Sequence, residues 1–404
     1  MKNNKIIYKK NINSKYLSSS YNKKLNKKYN DILKFIILNL NKKDNNFYSL
    51  SNKFELNFKK KDVAKFKKFK SVAIIGMGGS ILGTQAIYSF LEDKIKKKFL
   101  FFNNINEVQV NNLKKKGKLN KILFIVVSKS GKTIETISNF YALKILKKNA
   151  KNIIVISEKF NFLHQLSETK RLFHVEHKKH IGGRYSVLSE VGMLPAYLMG
   201  ISIEKLRKNL LVHFKKEKKR NLKSSSIILA SLLKSSKFKN LIFCNFEPKL
   251  DKFLDWNQQL IAESLGKKQK GFLPVISKSP KDHHSLLQLF LDGPKDKVFY
   301  IFSSETKNKN NLKIKNLDAK LKFLNNKSLK TIKEAQREAF VNILKKNEIP
   351  FREFKIKDFS EETLGELFSY FMLETAIIGK LSNLNPYNQP AVEQVKVDTR
   401  KLLI

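Results

Sequence analysis

The chain reads as an α/β protein of two halves, each built on its own parallel sheet. Short β-branched apolar runs at 72–75, 122–127, 153–156, 241–246 and 298–301 alternate with segments of helical spacing. Runs this apolar do not suit a strand with one wet face, and their alternation with helices implies parallel strands joined by crossover helices. A Lys-rich polar stretch at 215–223 divides them into two sets. At 404 residues the chain has room for two or three domains, each with a sizeable core.

The elements follow in order. Residues 1–50 are rich in Lys and Asn, carry one amphipathic stretch at 32–40, and read as an N-terminal helical extension. Residues 51–214 form the first α/β unit: strand 72–75, helix 80–91, strand 122–127, helix 133–147, strand 153–156, then a long apolar helix over 185–199. Residues 215–384 form the second: helix 225–233, strand 241–246, helix 249–265, strand 298–301, and helices 329–347 and 364–381. Residues 385–404 begin with the turn-forming Asn-Pro-Tyr-Asn-Gln-Pro. They continue as a helical tail with Glu393, Lys396 and Arg400 on one side.

The formal net charge is +47, from 81 Lys and Arg against 34 Asp and Glu. The lysines are spread throughout and Arg is scarce, whereas base-reading surfaces favour the bidentate fork of Arg. Compositional drift explains the charge better than a specific nucleic-acid surface. The charge still concentrates anionic substrates, an effect screened beyond roughly 8 Å at physiological salt. A single cysteine, Cys244, excludes an internal disulfide and fits a reducing compartment. The N-terminus shows no continuous apolar run of a signal peptide. The uncharged stretch 71–91 is broken by glycines, Ser80, Thr84 and Gln85, and suits a strand, loop and helix better than a membrane span. The expectation is a cytoplasmic protein with no membrane partner.

Two strand ends carry the chemistry. SVAIIGMGGSILG at 71–83 and LFIVVSKSGKTIET at 123–136 each run from a buried strand into Gly, Ser and Thr and then into a helix. Such a junction aims backbone N–H groups and hydroxyls at one point and favours an anion, above all a phosphate. A dinucleotide fingerprint fails because Ile81 takes the third glycine position, and a P-loop fails because Val126 takes the leading one. What remains is a close backbone approach at Gly76–Ser80 and a phosphomonoester loop at Ser128–Thr133. For the first, a tight turn holding no ligand is the alternative.

Arg184 follows Gly182 and Gly183, and either caps a surface or aims a fixed cation into a cleft. Glu263 is a lone carboxylate in an apolar helix end, suited to moving a proton if its pKa is raised; a solvent-facing Glu is the plainer alternative. His283 and His284 are adjacent and so do not converge on a metal, but one imidazole can serve as an acid or base. No His, Cys and carboxylate pattern assigns a metal, and none is needed if Arg184 holds the developing oxyanion.

These residues carry a family resemblance. GMGGSILG, SKSGKTIET, GGRYSVLSEVGMLP, QQLIAESLGK, DHHSLLQLFLDGPKDK and NPYNQPAVEQVK occur in the order and spacing of the glucose-6-phosphate isomerase family, and the chain resembles a compact bacterial-type member. The resemblance implies two sugar-isomerase (SIS) α/β/α domains and a homodimer with a shared active site. It also implies reversible conversion of glucose 6-phosphate to fructose 6-phosphate through a cis-enediolate, in glycolysis and gluconeogenesis, with no cofactor. By it, Glu263 matches the base that carries the proton between C1 and C2. His284 matches the ring-opening residue supplied by the neighbouring subunit, Lys396 the lysine near the ring oxygen, and Arg184 the arginine that stabilises the enediolate. Ser128, the Lys129 backbone, Ser130 and Thr133 match phosphate ligands. Gly79, Ser80 and Gln389 match sugar-contacting positions, and Glu135 a Glu of the substrate loop. The chain departs from the family at Met77, Lys132, His283, Ala391 and Gln394. The rival readings are an isomerase that also takes mannose 6-phosphate, a sugar-phosphate-sensing regulator, and a basic nucleic-acid binder.

Overall fold

The structure, a computed structural model, describes residues 5–12, 16, 19–305, 312–315 and 317–404. The chain begins with strand β1 (Ile6–Asn11), then α1 (Ser19–Asn39) and the short α2 (Lys60–Val63). The first half alternates β2 (Ser71–Gly76), α3 (Leu82–Phe90), β3 (Lys98–Phe102), α4 (Glu107–Lys115), β4 (Ile122–Val127), α5 (Ile134–Ala142), β5 (Ile153–Ser157), α6 (Phe162–Thr169) and β6 (Phe173–Glu176). Its sheet has the order β3-β2-β4-β5-β6 and is parallel throughout. The chain leaves β2 to one side and returns through β4 on the other. The crevice outside the carboxyl ends of β2 and β4 is therefore the switch point where doubly wound sheets bind ligands. Gly76 pairs with Val127 at that edge, so both Gly/Ser/Thr loops seen in the sequence open into it.

Helices α7 (Glu190–Met199), α8 (Ile203–Arg207) and α9 (Lys216–Ser235) lead to the second half. There follow β7 (Asn240–Asn245), α10 (Asp251–Leu265), β8 (Leu273–Lys278), α11 (His283–Leu291), β9 (Lys297–Ser304), α12 (Leu329–Lys346), β10 (Phe351–Ile356), α13 (Glu361–Leu381) and α14 (Val392–Leu402). The sheet order is β1-β10-β9-β7-β8. Helices α3 and α10, which follow β2 and β7, pack against each other. Nearly all of α13 is buried in the same core. Its backbone lies so close to α8 that a Cβ on Gly365 would stand 1.9 Å from the Leu206 carbonyl oxygen.

Five differences from the sequence reading have physical causes. The N-terminal extension is not wholly helical: β1 pairs antiparallel with β10, Ile6 opposite Ile356, so the second sheet is not purely parallel. An edge strand needs little apolar side chain, and only Ile6 of β1 is fully buried. The helix expected over 225–233 starts earlier, because the Lys-rich stretch 215–223 winds into α9, which buries Leu222 and the apolar residues beyond it. The apolar helix expected over 185–199 breaks at Ser189 into a 3-10 turn, Gly183–Leu188, and α7. The turn folds back on α7, where a Cβ on Gly192 would stand 2.0 Å from the Val187 carbonyl oxygen. The helix expected over 133–147 ends at Ala142, ahead of the left-handed Lys144. Strands β6, β8 and β10 lack a continuous β-branched run because His, Pro, Arg, Glu or Lys breaks it, and β3 lacks one because its apolar residues are Phe and Leu.

Among the described residues no helix is long and apolar enough to cross a membrane. Burial holds His177 and His213 neutral, with pKa values pushed down to about 4 and about 3. The His213 Nε2 lies 3.0 Å from the Glu366 carbonyl oxygen. In the unfolded chain both imidazoles return to about 6.5. Below that pH the unfolded state binds protons that the native state refuses, so stability falls as pH drops from 6.5 towards the folded values. The unfolding free energy from urea melts is expected to be lower at pH 5 than at pH 7.5, by on the order of 1–2 kcal/mol per histidine, with a correspondingly lower midpoint. A midpoint unchanged between the two would contradict this.

Candidate active site

Three sequence motifs from distant parts of the chain meet at the switch point. Gly78 is left-handed (φ 52°), and a Cβ there would lie 2.7 Å from Gln259 Nε2 on α10. A Cβ on Gly79 would lie 2.2 Å from the Gly183 carbonyl carbon. The glycines are therefore needed: they let the turn after β2 touch both α10 and the Gly182-Gly183 segment.

That contact delivers Arg184 to the last turn of α10. Its side chain is buried, and every donor is used. Nε donates to Ser264 Oγ (2.9 Å), and Nη1 to Glu263 Oε2 (3.1 Å) and Gln389 Oε1 (3.0 Å). Nη2 donates to the carbonyls of Pro386 (2.7 Å) and Asn388 (3.1 Å). One guanidinium thus ties α10 to the 386–389 turn. Arg184 is a cation inside a cleft, not a surface cap.

Glu263 is partly exposed and edges an open cavity of about 690 Å³, shared with Lys267, Asn385, Gln389 and Val392. Its Oε1 accepts from Gln259 Nε2 at 2.9 Å, one helical turn back. Both carboxylate oxygens are therefore held, by an amide on one side and a guanidinium on the other. The Lys267 Nζ donates to the carbonyls of Glu263 (2.8 Å) and Ser264 (2.9 Å), closing the end of α10. Burial, with Arg184 nearby, lowers the Lys267 pKa to about 8, and Glu263 opposes the shift.

The second loop lies across the crevice. Ser128 is buried at the end of β4, and its Oγ is 2.9 Å from Thr133 Oγ1. Thr133 precedes α5 without using its hydroxyl as a cap. Ser130 is exposed, and its Oγ accepts from the Lys132 N–H at 3.3 Å. The Lys129 side chain turns away to the Lys179 carbonyl (2.8 Å) and Glu158 (3.5 Å), leaving only its backbone in the loop. Ser80 and Glu135 are half-buried beside the two loops.

Two expected residues stand apart from this group. Lys396 lies on α14, none of whose residues is buried, and pairs with Glu393 at 2.7 Å. His284 is exposed in the first turn of α11 and shares no hydrogen bond with the group. Two residues of the site were overlooked in the sequence. Gln259 could have been found from its i, i+4 spacing to Glu263. Tyr185, whose hydroxyl lies 3.1 Å from Ser264 Oγ, gave no local signal.

Two doubly wound sheets thus carry a Gly/Ser/Thr loop at one switch point and, nearby, a carboxylate held by a guanidinium. Residues 36–403 match the family model described as phosphoglucose isomerase. The chain belongs to that family. It is similar to the glucose-6-phosphate isomerase of Methanocaldococcus jannaschii, 30% identical over 81% of this chain and 83% of that one. To the glucose-6-phosphate isomerase of Mycoplasmopsis pulmonis it is 33% identical, over 84% of each chain. In fold it is similar to a hypothetical protein of Thermus thermophilus, with a TM-score of 0.77 at 24% identity over 98% of this chain and 100% of that one.

Proposed function

We infer that the chain interconverts D-glucose 6-phosphate and D-fructose 6-phosphate through a cis-enediolate, with Glu263 as the base. The observation that carries this reading is the Glu263 carboxylate held between Gln259 and Arg184 at the crevice edge. The phosphate rests on the Ser128, Ser130 and Thr133 hydroxyls and the backbone of the Lys129 loop. This non-reacting anchor fixes C1 and C2 over the carboxylate. Glu263 takes the proton from C2 of the aldose, or C1 of the ketose, and returns it to the neighbouring carbon. The oxyanion that develops needs a cation whose charge does not titrate, and Arg184 meets that need. Because all five donors of Arg184 are taken, Nη1 must exchange Glu263 or Gln389 for a substrate oxygen. The buried Gln259 Oε1 has no partner among the described residues and is an acceptor for a sugar hydroxyl. Gly79, Ser80 and Gln389 contact the sugar, with Glu135 at the rim.

The reading extends to a cytoplasmic homodimer in which His284 opens the sugar ring in the site of a neighbouring copy, with Lys396 near the ring oxygen. The exposure of both residues supports it. The test mixes two inactive variants, Glu263→Gln and His284→Ala, under conditions that exchange subunits. Half the sites of each mixed dimer regain both groups. A coupled assay on fructose 6-phosphate with a chelator present is expected to recover up to about a quarter of wild-type activity, half from the dimer statistics and half from the intact sites. Recovery of none would contradict a shared site.

A further inference from the structure

We propose that Asn161 is a positioning residue that sets the Ser128–Thr133 loop in its anion-binding shape. The proposal rests on the reading of that loop as the phosphate site. Asn161 lies in the connection between β5 and α6, and its amide makes three contacts. Its Oδ1 accepts from the His164 N–H at 3.0 Å and caps α6. Its Nδ2 donates to the Lys129 carbonyl at 3.0 Å. It also lies flat against Gly131, where a Cβ would stand 2.3 Å from its Oδ1.

The Lys129 carbonyl receives a second donor, the Glu158 N–H, at 3.1 Å. Two donors fix the direction of that carbonyl. The Lys129–Ser130 peptide is trans, so its N–H points opposite to its C=O. Pinning the carbonyl towards β5 and α6 therefore turns the Ser130 N–H away from them. Gly131 is left-handed (φ 67°), and its N–H donates back to the Ser128 carbonyl at 3.1 Å. This closes the tight turn whose outer face carries the Ser130 hydroxyl. Asn161 grips the turn at the residue before Ser130 and the residue after it. Its contacts point away from the crevice, so it acts on substrate only through the loop.

Asn161→Ser separates the two roles. Serine is a good, neutral N-cap, so α6 is retained, but it is too short to reach the Lys129 carbonyl. The expected result is a rise of about 5-fold in KM for fructose 6-phosphate and in the inhibition constant of inorganic phosphate, the size of one neutral hydrogen bond. The kcat and thermal midpoint should stay close to wild type, because the reacting carbons and the cap are untouched. Gly131→Ala is expected to weaken phosphate inhibition more. Adding Asn161→Ser to it should recover part of the loss by making room for the new methyl group, so the two effects are not additive. A drop in thermal midpoint with both constants unchanged would overturn the proposal and leave Asn161 as a cap alone. Ser130→Ala is measured alongside. If it raises the phosphate constant while Asn161→Ser does not, the positioning role fails and the phosphate site stands. If Ser130→Ala also changes nothing, the phosphate assignment itself fails, and the proposal with it.

Discussion

Glu263→Gln abolishes turnover while the sugar phosphate still binds. The substitution keeps the shape of the side chain. The amide oxygen still accepts from Arg184 Nη1. The new amide nitrogen faces Gln259, whose amide turns over to present its unpartnered Oε1 as the acceptor. The packing therefore stays in place; the site loses the group able to hold a proton between two carbons, and Gln259 offers the sugar an N–H where it had offered Oε1. Removing a general base costs roughly 10²- to 10⁴-fold, and among the described residues no second carboxylate bonds to this cluster to replace it. A coupled assay is expected to show kcat lower by about 10⁴-fold, with the phosphate inhibition constant within a factor of two of wild type. A variant that turns over at near-normal rate would remove Glu263 from the chemistry.

Arg184→Ala carries the second large effect, on rate and on stability together. The guanidinium satisfies Ser264, Glu263, Gln389 and the carbonyls of Pro386 and Asn388. Truncation strands these acceptors and leaves the 386–389 turn without its tie to α10. Breaking a buried charged pair costs about 3–5 kcal/mol, and Glu263 is partly exposed, so the lower end is expected. Loss of the cation facing the oxyanion lowers kcat by about 10²- to 10³-fold. Arg184→Lys restores the charge but not the fork, and should recover stability only in part. Steady-state kinetics and a urea melt read the two effects. A kcat unchanged in the alanine variant would contradict the electrostatic role of Arg184.

How much of this was legible in the sequence depends on whether the signal is local. The loops at 76–80 and 128–133 could be read because a buried strand that breaks into Gly, Ser and Thr is a pattern of neighbours. Both fall at the switch point. Whether Arg184 faced water or a cleft could not be read, since the answer lies in a contact between Gly79 and Gly183, far apart in the chain. Glu263 posed the same difficulty until Arg184 and Gln259 were seen on its two oxygens. The β1 strand was hidden by its own lysines, since an edge strand needs only one face and little of it. The break at Ser189 depends on a tertiary fit between Gly192 and Val187 that helix propensity does not register. The cap that Asn161 makes on α6 is local, but its hold on the loop carried no signal, because that partner is backbone some thirty residues away.

The most direct measurement follows protons. Wild-type chain is incubated with fructose 6-phosphate in D₂O, and deuterium at C1 and C2 of the two sugar phosphates is read by NMR. An enediolate formed by a carboxylate that exchanges with solvent is expected to place deuterium on both carbons, and Glu263→Gln to place none over the same period. Deuterium entering at the wild-type rate in the Glu263→Gln variant would contradict the assignment, and isomerisation by the wild type without any incorporation would favour direct hydride transfer over an enediolate.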